Sequence, residues 1–358
     1  MEQPSDVPTR RRPARLSSDL ALLGVVALVL VAALGAGGVT LYREFYSPSA
    51  FVTRYLDLLA QHRASDALRL PGVALDREAL DGDAAAASDA LLRGTALAPL
   101  TDYTVADEHA DGDEILVTVE YRAGGHAGRT TFHVAREGWL GVAPTWRFSQ
   151  SPLAVVSLTV RGAEQFTVNG FELDRRQVAA GGVDAPPLEP VPLLVFSPGL
   201  YSVSVDTPMS ATPGIGVLAD APGATVPVDV QAQPTGQFVQ VVQQRVDEFL
   251  TQCATQQVLM PAGCPFGMTV QNKLASDPHW SIVEMPKVSV EPDGANWRIP
   301  PTDAVAHIVV DVQSLYDGSI REVDEDVRFR IDATIQVLPD GAASIVVGSP
   351  DLPIDDGD

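Results

Sequence analysis

Cysteine is almost absent from this chain of 358 residues: Cys253 and Cys264 are the only two. That excludes a C-x-x-C redox pair and any zinc site built on clustered cysteines. Lysine is as scarce, with Lys273 and Lys287 alone; the other basic residues are arginine. With abundant alanine, this bias fits the codon usage of a GC-rich bacterium. Histidine is limited to His62, His109, His126, His133, His279 and His307. None makes an H-E-x-x-H or similar ligand pair. There is no G-x-S-x-G, no S-x-x-K on a helical stretch and no phosphate-binding glycine loop. No catalytic residue, cofactor site or metal site is therefore expected.

Positive charge is also deficient. The net charge is −22. Residues 1–42 carry four arginines against Glu2, Asp6 and Asp19, so the excess of acid lies entirely in the remainder. A field of that sign repels phosphate backbones, and no nucleic-acid partner is expected. Two acidic knots stand out, Asp107–Glu114 and Asp324–Asp326. Neither has the D-x-D-x-D-G ladder with its distal glutamate, so solvated turn charge is the expectation.

From Leu20 to Tyr42 there is no charged residue, and the run is strongly apolar. As a helix it would be about 35 Å long, enough to cross a hydrocarbon core of about 30 Å. Arg10, Arg11, Arg12 and Arg15 precede it, and Arg43 is the only basic residue close behind. The positive-inside rule then places residues 1–19 in the cytoplasm and the C-terminal bulk outside, on a single-pass cell-membrane anchor. The apolar run is longer than a cleaved signal's core and no cleavage site follows it. Tyr42, Phe45 and Tyr46 stand where an interfacial aromatic belt is expected. Gly35, Gly37 and Gly38 would permit pairing with a second copy.

Hydrophobic residues make up 46 % of the chain, and 29 glycines with 28 prolines punctuate it. The expected class is α+β. A first unit, 48–150, opens with a helix from Pro48 whose Phe51, Tyr55, Leu58 and Leu59 share a face. A further helical piece is expected around Ala90–Leu92, then strands around Tyr103–Val105, Ile115–Tyr121, Thr130–Ala135 and Trp146–Phe148. His126 and His133 fall on opposite arms of a hairpin in this reading. A second unit, 151–233, has only short strands, with Asn169-Gly170 the strongest turn signal. A hairpin is expected from Leu193–Phe196 through Ser197-Pro198-Gly199 to Tyr201–Val205. This unit reads as a small β-sandwich. A third unit, 236–348, opens with a helix on Phe238, Val242, Val246, Phe249 and Cys253 and continues as strands. Residues 349–358 form an acidic tail.

The leader Phe51–Leu70 and the closing strand Trp146-Arg147-Phe148 resemble the ketosteroid-isomerase-like cone, also called the nuclear transport factor two-like fold. The third unit repeats the order. The Val168-Asn169-Gly170 hairpin with the later Pro198-Gly199-x-Tyr201-x-Val203 strand resembles PEGA-like surface modules, which are spacers or adhesion elements. Two cones flanking a β module on one anchor are similar to the envelope proteins related to the teicoplanin-resistance-associated membrane protein, although the N-terminal zinc-ribbon cysteines of that group are missing. The resemblance implies a cone cavity, which Tyr55, Tyr103, Phe132 and Trp146 are placed to line, although packing a core is the commoner duty of each.

For an exported pair with ten residues between them, Cys253 and Cys264 are expected to form a disulfide. The functional expectation is a membrane-anchored extracytoplasmic binding or scaffolding protein of the cell envelope, partnered by an envelope protein or cell-wall fragment. The alternative is an enzyme or small-ligand receptor using a cone pocket. A signalling accessory is weakened by a cytoplasmic segment of nineteen residues.

Overall fold

A computed structural model describes residues 23–26, 28–29, 45–75, 83–141, 143–338 and 343–348. It corrects the α+β expectation. The chain is mostly β, with 49 % strand and 19 % helix. The physical reason lies in where the β-branched residues sit. Among the described residues the two expected cones each contribute one helix of more than a single turn, and strands of up to 18 residues dominate the units they belong to.

The expected transmembrane helix is corrected as well. Among the described residues no helix is long and apolar enough to cross a membrane. Of Leu20–Tyr42 only Leu23–Val26 and Leu28–Val29 are described; they are helical and exposed. The rest of that stretch, the arginines before it and the acidic tail 349–358 lie outside the described residues.

Helix α1 (Pro48–Ala60) starts where Ser47 Oγ accepts the Ala50 N–H at 3.0 Å, with proline at the first helical position. It buries Val52, Tyr55, Leu56, Leu58 and Leu59. These pack on an antiparallel meander of β1 (Leu100–Asp111), β2 (Glu114–Ala123), β3 (His126–Leu140) and β4 (Ala143–Phe148). Ala90–Leu92 is a turn, not a helix; the helical turn of this connection is Asp83–Ala86. Ser88 then bridges to Leu193 and borders the next sheet.

The middle module has a three-stranded sheet of β5 (Leu153–Arg161), β8 (Val191–Phe196) and β11 (Thr225–Gln231), ordered β11-β5-β8. Its five-stranded counterpart is built from β6 (Gln165–Val168), β7 (Phe171–Asp174), β9 (Gly199–Asp206), β10 (Ser210–Ala219) and β12 (Gln233–Pro234). Leu193–Phe196 and Tyr201–Val205 do not pair as a hairpin: β8 and β9 lie in different sheets. Phe196 turns instead into the core beneath α1, and Tyr201 into the core between the sheets. The turn therefore arches across the module.

Helix α2 (Gly236–Ala254) covers a third module. There β16 (Asn296–Gln313) and β17 (Ile320–Val337) pair along their length, with β13 (Lys273–Leu274), β14 (His279–Glu284), β15 (Glu291–Asp293) and β18 (Ala343–Val347) at their flanks. The buried stripe of α2 is Phe238, Val242, Val246, Leu250 and Cys253; Phe249 packs only at its margin. One apolar core runs unbroken from the middle module through Val230, Ala232 and Phe238 to Trp297 and Ile335.

A cleft between the middle and third modules as the candidate site

The residues expected to line a cone cavity do other work. Tyr55 and Phe132 are fully buried and meet Phe148 in an aromatic cluster, with ring centroids 5.3 to 5.9 Å apart. The Tyr55 hydroxyl donates to Ser197 O at 2.9 Å, joining α1 to the middle module. Burial holds its phenol well above the ordinary value. Tyr103 donates to Asp57 at 2.5 Å. Burial first, then that hydrogen bond and its charge, push the Tyr103 pKa up to about 12. Trp146 donates its indole N–H to Tyr46 O at 2.9 Å. Tyr55 and Phe132 are thus brought together inside the first core, and Tyr103 and Trp146, half-buried, pack against its margin.

His126 and His133 do not face each other. Both lie on β3, and His133 instead contacts Glu114 at 2.9 Å. That bond is the main reason the Glu114 carboxyl sits below its usual range. His307 lies between Asp324 at 3.2 Å and Asp326 at 2.9 Å. Among the described residues no group of three or more His, Cys, Asp or Glu side chains is arranged to hold a metal ion. Cys253 and Cys264 are joined, with S–S 2.07 Å.

One concave feature with both apolar and polar walls was not foreseen. It has a volume of about 370 Å³ and lies between the middle and third modules. Its floor is the end of β5 and the turn after it, Val160 and Gly162–Gln165. One rim is the Thr207–Ser210 turn, and the other is Ala295–Asn296 with Leu338. Gly162 has φ +79°, and a Cβ added there would meet Trp297 Cζ2 at 2.7 Å, so only glycine lets the floor rest on that indole. Trp297 is fully buried, and its Nε1–H has no hydrogen-bond partner among the described residues.

The polar wall is pre-set by two arginines. Arg175 is buried and donates to Glu164 at 2.9 Å, Pro186 O at 2.9 Å and Ala185 O at 3.1 Å. Arg176 pairs with Asp174 at 2.7 Å, and its backbone N–H is capped by the same carboxylate. The Arg176 hydrogen bond, more than its charge, holds the Asp174 carboxyl below the usual range. Across the cleft, Thr207 and Ser210 close a tight turn through hydroxyls 3.0 Å apart. Thr235, the N-cap of α2, donates to Pro208 O at 2.6 Å. The third module's helix is thus tied to the rim. The walls come from stretches of chain far apart in sequence, so no local motif could have announced them. The only trace in the sequence was Asp174-Arg175-Arg176 after a strand, a helix-start signal.

Comparison with known proteins adds no relative: no family model, no curated protein and no solved structure matches the chain. Nothing in it bears on the cone-like or PEGA-like resemblances.

Proposed function

We propose that this is a non-catalytic binding or scaffolding protein of the bacterial cell envelope, with its β-rich bulk outside the cytoplasm and a surface partner held in the cleft between the middle and third modules. The observation that carries the reading is the cleft itself. At about 370 Å³ it is within the range of ligand sites, lies at a module boundary, and combines Val160, Ala163, Met209 and Leu338 with Glu164, Arg176 and Asn296. A peptide or sugar segment of another envelope component suits such walls, because apolar area supplies affinity and the few fixed polar groups supply register.

Two features support the location. The Cys253–Cys264 bridge belongs in an oxidising compartment. The uncharged stretch Leu20–Tyr42, with arginines ahead of it and acid behind, supports attachment at the cell membrane with the N-terminus inside. The rival reading, an enzyme working in a cone pocket, loses ground because Tyr55, Phe132 and Phe148 fill that interior.

The test is site-specific photo-crosslinking in intact cells. A crosslinker at Thr207 or Gln165, on the cleft wall, is expected to trap one discrete species. The same group at Arg129, exposed on β3, is expected to trap none. Equal labelling from all three positions, or none from the cleft, refutes the reading. Protease added to intact cells is expected to degrade the β-rich bulk; full protection refutes the location.

A further inference from the structure

The end of the β3–β4 hairpin exposes more apolar surface than its neighbours require. Trp139 is 60 % and Leu140 77 % exposed. The Arg136 guanidinium lies between two rings, 5.1 Å from Trp139 and 5.7 Å from Trp146. Trp146 in turn holds the backbone of Tyr46. Tyr46 is 47 % exposed and its neighbour Phe45 is 67 % exposed. Phe45, Tyr46, Trp139 and Leu140 therefore form one connected patch, with a single guanidinium threaded through it.

We propose that this patch is a lipid-facing surface: the hairpin tip and the start of α1 rest together in the headgroup region of a bilayer. Three observations select lipid over a protein partner. The first is continuity. Phe45 stands three residues beyond Tyr42, where a run of 23 uncharged residues ends, and a run of that composition is costly to leave in water. The second is chemistry. Tryptophan, tyrosine and phenylalanine with an arginine are the side chains whose apolar bodies and polar tips match the interface. The third is charge. The molecule beyond residue 42 is strongly acidic, yet the hairpin end Arg136–Trp146 holds only Glu137 as an acid against Arg136. Such a patch meets zwitterionic headgroups without the repulsion that the rest of the surface would suffer. The inference rests on the envelope location proposed above.

Depth-dependent quenching tests it. The full chain is reconstituted in phosphatidylcholine vesicles with and without lipids brominated near the carbonyl end of the acyl chain. Of the four tryptophans, Trp280 and Trp297 are buried and Trp146 is half-buried, so Trp139 should supply most of the lipid-quenched emission. The expected result is quenching in the native chain, most of it lost in Trp139→Ala and reduced in Leu140→Glu, with unchanged far-ultraviolet circular dichroism in both. A chain that floats with the vesicles but is not quenched, or is quenched equally in Trp139→Ala, overturns the hairpin contact alone. A chain that does not float overturns the membrane location along with it.

Discussion

Replacing Gly162 by alanine tests whether the cleft floor and the third module's core are one structure. Gly162 has φ +79°, where an L side chain costs about 1–2 kcal/mol. The new methyl would also stand 2.7 Å from Trp297 Cζ2 and 3.1 Å from Cη2. Trp297 has nowhere to retreat. It is fully buried and packs edge-on against Phe238 at 6.1 Å, on the face of α2. Overpacking of this kind costs about 1–3 kcal/mol. The two effects together predict a loss of about 2–5 kcal/mol. Gly170 supplies the control. It has a nearly identical φ of +81° with nothing within 4 Å of an added Cβ, so Gly170→Ala carries only the backbone cost. Urea unfolding followed by tryptophan fluorescence separates them. Gly162→Ala should unfold at clearly lower urea than Gly170→Ala, with a perturbed native emission. Equal midpoints and unchanged emission would refute the claim that Gly162 seats the floor on Trp297.

Removing the Cys253–Cys264 bridge by a double serine substitution should cost about 3 kcal/mol, because a short loop is released in the unfolded chain; thiol labelling of the native protein without reduction should add no mass. Tyr55→Phe leaves Ser197 O without its donor in a buried setting, and a loss of about 1–3 kcal/mol in urea stability is expected; no loss would mean that water replaces the hydroxyl. Tyr55, Tyr103, Tyr121 and Tyr201 all have pKa values raised above 10.0, chiefly by burial. A folded value above the unfolded one contributes stability that is complete below pH 10 and fades as pH rises through the folded values. Absorbance of phenolate should therefore show these four resisting ionisation above pH 10 until the chain unfolds in alkali. Titration of these four near 10 in a folded chain would contradict the burial.

Where a local rule and the tertiary environment agree, the sequence was readable. Asn169 and Gly170 both adopt positive φ between β6 and β7, as an Asn-Gly hairpin requires. Phe238, Val242 and Val246 marked α2 through their spacing. The stripe's last turn was misread by one residue: Phe249 and Leu250 are both apolar, and only tertiary packing buries Leu250 and leaves Phe249 at the margin. Strand β1 was legible only around Tyr103–Val105. Its remainder to Asp111 is an exposed edge with no apolar alternation, so Asp107 and Glu108 read as part of the acidic knot around the following turn and not as strand. The Pro198-Gly199 turn has the composition of a hairpin, and nothing local distinguishes it from an arch. The difference is set by which core receives Phe196 and which receives Tyr201.

Two buried aromatics then explain why the middle module is more than a spacer. Tyr55 reaches from α1 to the backbone of Ser197. Trp297 reaches from β16 beneath Gly162. Each neighbour therefore completes its core with middle-module residues: Leu153 and Phe196 on one side, Val230 and Ala232 on the other. A cleft whose floor belongs to a shared core is formed before any partner arrives, and pre-formed walls avoid the ordering cost that a flexible boundary would impose on binding. Mutations consequently divide in two. Those at Gly162 should lose partner capture in step with stability. Those at Asn296, on the rim and outside the core, should alter capture while the urea midpoint stays put. A module boundary that flexed would mix the two classes, and rim variants would then weaken the fold as well.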